Sequence, residues 1–306
     1  MNEELKSRET EINHESRFGD IERILAVMQE GEIIDEKGNI NELYDDVPPH
    51  ANVVEVVELT DVQHRNITSF VKIRNKRNPD ETITCVFKPA DGESAESKRD
   101  IAVQEFYPRE CAAFLISDHF ELDIVPPTII REINGRKGAL QLFIDHEQYA
   151  NASLVPDFSL QEGDDFYKVA LLDWLLLNCE RHTDNLMVKK DDPRELIAID
   201  HGIILSCPDY FNLSLRGPTF KLTYDNKLEK PRTDCGIPKN LLLLLEDGLK
   251  RKEILIERLK SLPTLSDWEI EKIFLRIEQL LKSKRFLSKE NFQAVFKRSW
   301  MSDYLE

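Results

Sequence analysis

Two acidic and two amide side chains crowd one stretch of this sequence, Asn178-Cys179-Glu180-Arg181-His182-Thr183-Asp184-Asn185, and a further carboxylate follows in Ile199-Asp200-His201-Gly202. A carboxylate that can orient a hydroxyl, with Asn and Asp oxygens that can share a metal ion, is the set that phosphoryl transfer from Mg-ATP requires.

The geometry comes from what lies between. Leu186-Met187-Val188 and Leu196-Ile197-Ala198-Ile199 read as short strands, with turn chemistry in Asp191-Asp192-Pro193-Arg194. An antiparallel hairpin then sets Asn185, just before the first strand, beside Asp200, just after the second. Two oxygens converging there suit Mg²⁺, which takes one or two protein oxygens and completes its shell with phosphate and water. Gly202 would let the backbone turn sharply under a ligand. The plainer alternative is that Asn185 and Asp200 only cap a hairpin. Upstream, Val86-Phe87-Lys88 leaves a lysine at the end of an apolar strand, where an ammonium is costly to bury. Glu110 sits beside Ala112 and Ala113 in a helical stretch. A strand Lys and a Glu on the next helix form the ion pair that positions ATP phosphates in kinases. Taken singly, Lys88 could snorkel to solvent and Glu110 could face it.

Stepping outward, Phe18, Ile21, Ile24, Leu25 and Met28 recur at helical spacing after a polar start that reads as frayed to about residue 16. Val53–Val57, Ser69–Ile73 and Thr82–Phe87 read as strands, separated by the turns Asp61–Asn66 and Arg77–Asp80. A helix is expected over 101–119 and a strand over Ala139–Ile144. Phe166–Leu177 is apolar nearly all round, as a buried helix is. The tail over 238–297 reads as amphipathic helices, broken at Ser261-Leu262-Pro263 and restarted by an N-cap at Ser266. The acidic string from Asp91 to Glu96 reads as a solvated loop, or as a substrate-facing insert. Trp300 is expected to dock the C-terminus.

The 306 residues, 41% hydrophobic, suffice for one bilobal domain or two small ones. A formal net charge of −16 argues against nucleic acid as a partner and against a polybasic membrane anchor. Cys85, Cys111, Cys179, Cys207 and Cys235 form no CxxC pair and read as reduced thiols of a cytoplasmic protein. No signal peptide and no transmembrane run is visible. His182 and His201 read as packing or hydrogen-bonding residues, since no further His or Cys stands at zinc spacing.

Phe87-Lys88-Pro89, Arg109-Glu110-Cys111-Ala112-Ala113, Val125-Pro126-Pro127-Thr128, Ala139-Leu140-Gln141-Leu142-Phe143, Glu180-Arg181-His182-Thr183-Asp184-Asn185 and Ile199-Asp200-His201-Gly202 resemble, in unbroken order, successive motifs of the phosphatidylinositol 3- and 4-kinase superfamily. Type II phosphatidylinositol 4-kinases, their bacterial homologues and, more remotely, HipA-like protein kinases are the relatives suggested. The resemblance runs from about Asn66 to Gly202. It implies an α+β, bilobal protein-kinase-like fold with a small β-rich N-lobe and a larger helical C-lobe. The expected division is an acidic N-terminal segment with a short helix (1–50), an N-lobe (51–145) and a C-lobe with the helical tail (146–306). Residues 145–159 would cross between the lobes.

The resemblance also implies roles. Lys88 would contact the ATP phosphates and pair with Glu110; Gln141, Leu142, Phe143 and Ile144 would be the hinge against which adenine stacks. Asn185 and Asp200 would hold Mg²⁺. Glu180 falls where the family places its catalytic Asp, followed in register by Arg181 and His182, and the extra methylene moves the carboxylate on the order of 1.5 Å. Asp184 is a possible substitute. The nucleotide-covering turn, Gln63 to Thr68, has no glycine, so backbone amides with Arg65 and Asn66 would cradle the phosphates. The implied activity is ATP-dependent transfer to a hydroxyl, on a protein in preference to a phosphoinositide given the charge. The alternatives are a pseudokinase that binds nucleotide or a partner, and transfer of AMP.

Overall fold

The computed structural model describes residues 16–37, 68–93, 105–155, 163–178, 181–205, 224–225, 230–231 and 236–286. The strand expected at Val53–Val57, together with Arg65, Asn66, Glu180 and Trp300, lies outside the described residues.

Chain order gives helix α1 (Ile21–Glu30) and strands β1 (Glu32–Lys37), β2 (Ser69–Arg74) and β3 (Thr82–Pro89), then helix α2 (Tyr107–His119) and strands β4 (Thr128–Ile133) and β5 (Arg136–Leu142). These strands form one antiparallel sheet in the order β1-β2-β3-β5-β4. Strand alternation decides what faces what. Cys85 and Phe87 of β3, with Leu140 of β5, turn toward Val27 and Met28 of α1 and form one small core. Lys88 lies opposite Ala139 across the β3–β5 ladder, and Ala139 packs on Tyr107 and Cys111 of α2. The same pleat that buries Phe87 against α1 therefore aims Lys88 at α2. Gly138 permits the close pairing, because a Cβ there would stand 2.3 Å from the Lys88 carbonyl oxygen.

Residues 101–104 of the helix expected over 101–119 lie outside the described residues; the described helix runs Tyr107–His119, with Pro108 in its first turn, where a missing N–H is harmless. Its cap comes from a distance. The Glu93 carboxylate accepts the backbone N–H of Phe106 at 3.0 Å and of Tyr107 at 2.7 Å. Asp91 meanwhile pairs with Arg136 at 2.7 Å. Asp91 stays largely exposed, at 61%, while Glu93 serves the helix; Glu96 lies outside the described residues. Strands β1 and β4 were not visible in the sequence pattern.

The short edge strand β6 (Tyr149–Asn151) comes next, followed by α3 (Asp164–Leu176), β7 (Leu186–Lys189) and β8 (Leu196–Ala198). Strands β6, β7 and β8 form a second antiparallel sheet. A two-stranded pair β9 (Tyr224–Asp225) and β10 (Lys230–Pro231) precedes helices α4 (Lys239–Lys250), α5 (Lys252–Lys260) and α6 (Asp267–Ser283). Ser266 caps α6 in a reciprocal capping box with Glu269. Leu186, Val188, Leu196 and Ala198 face the large core shared with α3 and α6, whereas Met187 and Ile197 join Tyr149, Ile144 and Ile199 on the opposite face. The fold is the bilobal, kinase-like α+β arrangement.

Arg17 straps the start of the chain to both parts. Its guanidinium spans Asp165 of α3 at 2.7 and 3.0 Å and the Leu196 carbonyl at 3.0 Å, with Asp123 at 3.4 Å. Among the described residues no helix is long and apolar enough to cross a membrane.

Candidate active site

The Lys88 ammonium stands between two carboxylates, 2.5 Å from Glu110 Oε1 and 3.0 Å from Asp200 Oδ1. Glu110 is sealed inside α2, and its second oxygen accepts the His201 backbone N–H at 2.9 Å. Strand, helix and the segment after β8 thus close one polar ring. Asp200 is the open member, with its side chain 54% exposed. Burial opposes the Lys88 charge, yet the Asp200 and Glu110 carboxylates hold its pKa above the ordinary lysine value. The Lys88 ammonium in turn draws Asp200 down to about 2. Burial pushes Glu110 up, against the pull of Lys88.

Asp200 carries the local strain, with φ at 57°, a left-handed conformation that Asp tolerates better than most residues. The sharp turn therefore lies at Asp200, not at Gly202. Glycine at 202 answers to a close approach: a Cβ there would come within 3.0 Å of Phe106 Cβ and 3.7 Å of Glu110 Oε1.

Arg181 is the largest fully buried side chain, and its guanidinium grips Asp173 at 3.1 Å while donating to the Asn185 carbonyl at 2.6 Å and the Ile199 carbonyl at 2.9 Å. It also donates to His201 Nε2 at 2.8 Å. An arginine cannot accept, so this contact fixes His201 as the Nδ1–H tautomer, aimed toward Glu110 Oε2 at 3.9 Å. Burial first, and the Arg181 charge second, hold His201 well below its ordinary pKa. Arg181, expected among the catalytic residues, lies with its side chain at zero exposure. It holds the backbone of Asn185, and of Ile199 just before Asp200, in register, as the hairpin bond from Ile199 N–H to the Asn185 carbonyl at 3.1 Å also does.

His182 and Asp184 lie in the open, both about half exposed, with His182 Nδ1 at 3.2 Å from Asp184 Oδ2. His182 Nε2 faces the Asn185 amide nitrogen at 3.3 Å, and Asn151 Nδ2 donates to the Asp184 carbonyl at 2.7 Å, tying the loop to β6. At the end of β5, Gln141 is buried with its amide on Thr128 Oγ1 at 3.0 Å. Leu142 N–H donates to Pro127, and Phe143 N–H to Thr84. Phe143 lies edge-on to Phe70, with ring centroids 5.2 Å apart. Burial raises the Cys85 thiol to about 12 and Cys111 well above its usual value, which leaves both protonated and unreactive.

The donor set fits a hard divalent ion. The exposed Asp200 carboxylate and the Asn185 amide, at the end of the same hairpin, could offer oxygens, and Lys88 already places one cation on Asp200. Among the described residues no three His, Cys, Asp or Glu side chains gather, so such an ion would take the rest of its shell from phosphate and water.

The family model for phosphatidylinositol 3- and 4-kinases matches residues 73–228, just over half of the chain and the whole run of motifs from Phe87 to Gly202. Phosphatidylinositol 4-kinase gamma 5 of Arabidopsis thaliana is 31% identical over 136 residues, covering 35% of this chain and 21% of that protein. Phosphatidylinositol 4-kinase gamma 1 of the same plant is 29% identical over 194 residues, covering 54% of this chain and 32% of that protein. The chain thus spans a fifth to a third of the length of these relatives. A solved structure of hydra Fam20 with sugar superposes at a TM-score of 0.50 with 11% identity, over 86% of this chain and 88% of that one, a likeness of fold.

Proposed function

We propose that this chain, which belongs to the phosphatidylinositol 3- and 4-kinase family, moves the γ-phosphate of Mg-ATP to a hydroxyl, and that the hydroxyl is on a protein. The observation that carries this reading is the Lys88 ammonium held between Glu110 and Asp200 at 2.5 and 3.0 Å. Lys88, braced by Glu110, holds phosphate oxygens; Asp200 and Asn185 hold the divalent ion. Bound Mg-ATP supplies the transferable phosphoryl group and the metal charge that stabilises it. Leu142, Phe143 and Ile144 offer the edge on which adenine rests, and the turn with Arg65 and Asn66 covers the phosphates. Glu180, or Asp184 beside it, orients the acceptor hydroxyl. On the same reading the small lobe ends near Ile144 and residues 145–159 cross to the large one, which leaves the lobes free to close on nucleotide.

The net charge of −16 opposes approach to an anionic membrane and supports a protein acceptor. A phosphoinositide acceptor is the second reading, favoured by the names of the Arabidopsis relatives. Incubation with Mg²⁺ and γ-labelled ATP, with protein acceptors and separately with phosphatidylinositol vesicles, decides between them. Label on protein is expected. Label on lipid alone makes the chain a lipid kinase, and no label with nucleotide still bound makes it a pseudokinase. Label carried over from α-labelled ATP makes it an AMP transferase.

A further inference from the structure

Arg109 and Glu110 are consecutive on α2, yet they grip the segment after Asp200 with opposite polarity. Glu110 accepts the His201 N–H at 2.9 Å, and Arg109, itself buried, donates from Nη1 to the Ile204 carbonyl at 2.5 Å. The other Arg109 nitrogen, Nη2, lies 2.7 Å from Glu269 Oε1 on α6. Glu269 divides its carboxylate: Oε1 serves Arg109, while Oε2 accepts from the Ser266 backbone and hydroxyl, both at 2.8 Å. The same short segment is anchored once more where the Leu205 N–H meets the Leu176 carbonyl at 2.7 Å. Among these holds, the one through Arg109 alone reaches a helix beyond residue 228, where the family match ends. Arg109 Nε is buried without an acceptor. An apolar residue would fill this space at lower cost, since buried ion pairs contribute little to stability compared with well-packed hydrophobic side chains. What an apolar residue could not do is hold the Ile204 carbonyl.

We propose that Glu269 is a positioning residue: through Arg109 it lets α6 fix the segment that carries Asp200, and with it the Lys88–Glu110–Asp200 ring. This inference rests on the reading of that ring as the phosphate and metal site. Glu269 touches neither nucleotide nor acceptor and acts by holding Arg109 against Ile204.

The test separates positioning from mere stability. Glu269→Gln leaves a buried guanidinium without its anion, and Arg109→Met leaves a nearly buried carboxylate without its cation, so both single variants lose stability. The double variant Arg109→Met/Glu269→Gln removes both charges, and its Gln still accepts at the capping box, so its thermal midpoint recovers toward the parent. Expected is that turnover does not recover: the double variant stays at least about tenfold below the parent in kcat, with the ATP KM changed less than about threefold. Amide exchange at Ile204 and Leu205 is expected to be faster by about tenfold than in the parent. A double variant with parental kcat and parental exchange overturns the proposal, as does a loss of kcat that simply follows the midpoint across all three variants. If the parent itself transfers no phosphate, the phosphotransferase reading fails, and the exchange at Ile204 and Leu205 alone carries or overturns the positioning.

Discussion

Two ion pairs flank His201 and are built in opposite ways. Arg181 and Asp173 are sealed, with side chains 0% and 2% exposed, whereas Lys88 and Asp200 are open, at 21% and 54%. The sealed pair spends its donors on the backbone, on the Asn185 and Ile199 carbonyls, and so fixes the loop and the hairpin end. The open pair has an ammonium already shared between two acids and a carboxylate facing solvent, so a phosphate or a metal ion can enter the contact without unfolding anything. Charge of the same kind serves as scaffold where water is excluded and stays open to a ligand where water is admitted.

Breaking the sealed pair should give the largest effect. Asp173→Ala leaves a fully buried guanidinium uncompensated, a loss of about 3–5 kcal/mol. The urea midpoint should fall accordingly, and activity should vanish with the fold. A loss below about 1 kcal/mol would mean that Arg181 finds another anion or water, and the contrast between the two pairs would collapse.

Breaking the open pair should do the reverse. Asp200→Asn keeps the shape and tolerates the left-handed backbone while removing the charge, so stability changes by no more than about 1 kcal/mol. Phosphoryl transfer should fall on the order of 10²–10³. A variant that keeps parental transfer would remove Asp200 from the metal site and the kinase reading with it.

How far the sequence disclosed this contrast depends on distance along the chain. Asn185 and Asp200 are brought together by one short hairpin, and Lys88 is aimed by the pleat of its own strand, so local pattern was enough to single them out as candidates. Arg181 sits between Glu180 and His182 in what reads as a polar run, and its burial is set by Asp173 on an apolar helix, which no local pattern reports. The same holds for Glu93 capping α2 from beyond a gap in the described chain, and for Arg109 meeting Glu269, which is 160 positions away. Strand β1 escaped notice because its partner β2 follows only after a long intervening stretch, so no hairpin turn marks it. Segments whose geometry is decided by tertiary partners were illegible, and those decided by a neighbouring turn mostly were not; β4 is the exception, since the turn Asn134-Gly135 that joins it to β5 is a hairpin signal the sequence reading passed over.

The open pair also predicts an acid response. Lys88 depresses the Asp200 carboxyl to about 2, below its value in the unfolded chain of about 3.9. A depressed group contributes stability above the unfolded value and loses it as pH falls through the folded one. The parent should therefore lose more stability than Asp200→Asn between about pH 4 and pH 2. Urea midpoints at three pH values in that window check it. Parallel curves would mean that Lys88 is served by Glu110 alone and that the Asp200 contact carries no free energy.

The smallest disturbance of the fold, and the sharpest question about the chemistry, lies at the mouth of the open side. Asp184 and His182 are both half exposed, so Asp184→Asn should shift stability by less than about 0.5 kcal/mol. On the proposed reading Glu180 acts on the acceptor and not on the metal. Glu180→Gln should then lower turnover by roughly 10²–10⁴ while ATP affinity stays near the parent, and Glu180→Asp should retain measurable transfer or exceed the parent. Titrating ATP against each variant and following label transfer separates the two effects. A silent Glu180→Gln with a dead Asp184→Asn would move the orienting base along the loop to the residue paired with His182. Should a parent that binds nucleotide transfer nothing and both variants bind as it does, the open pair holds a nucleotide that is never spent.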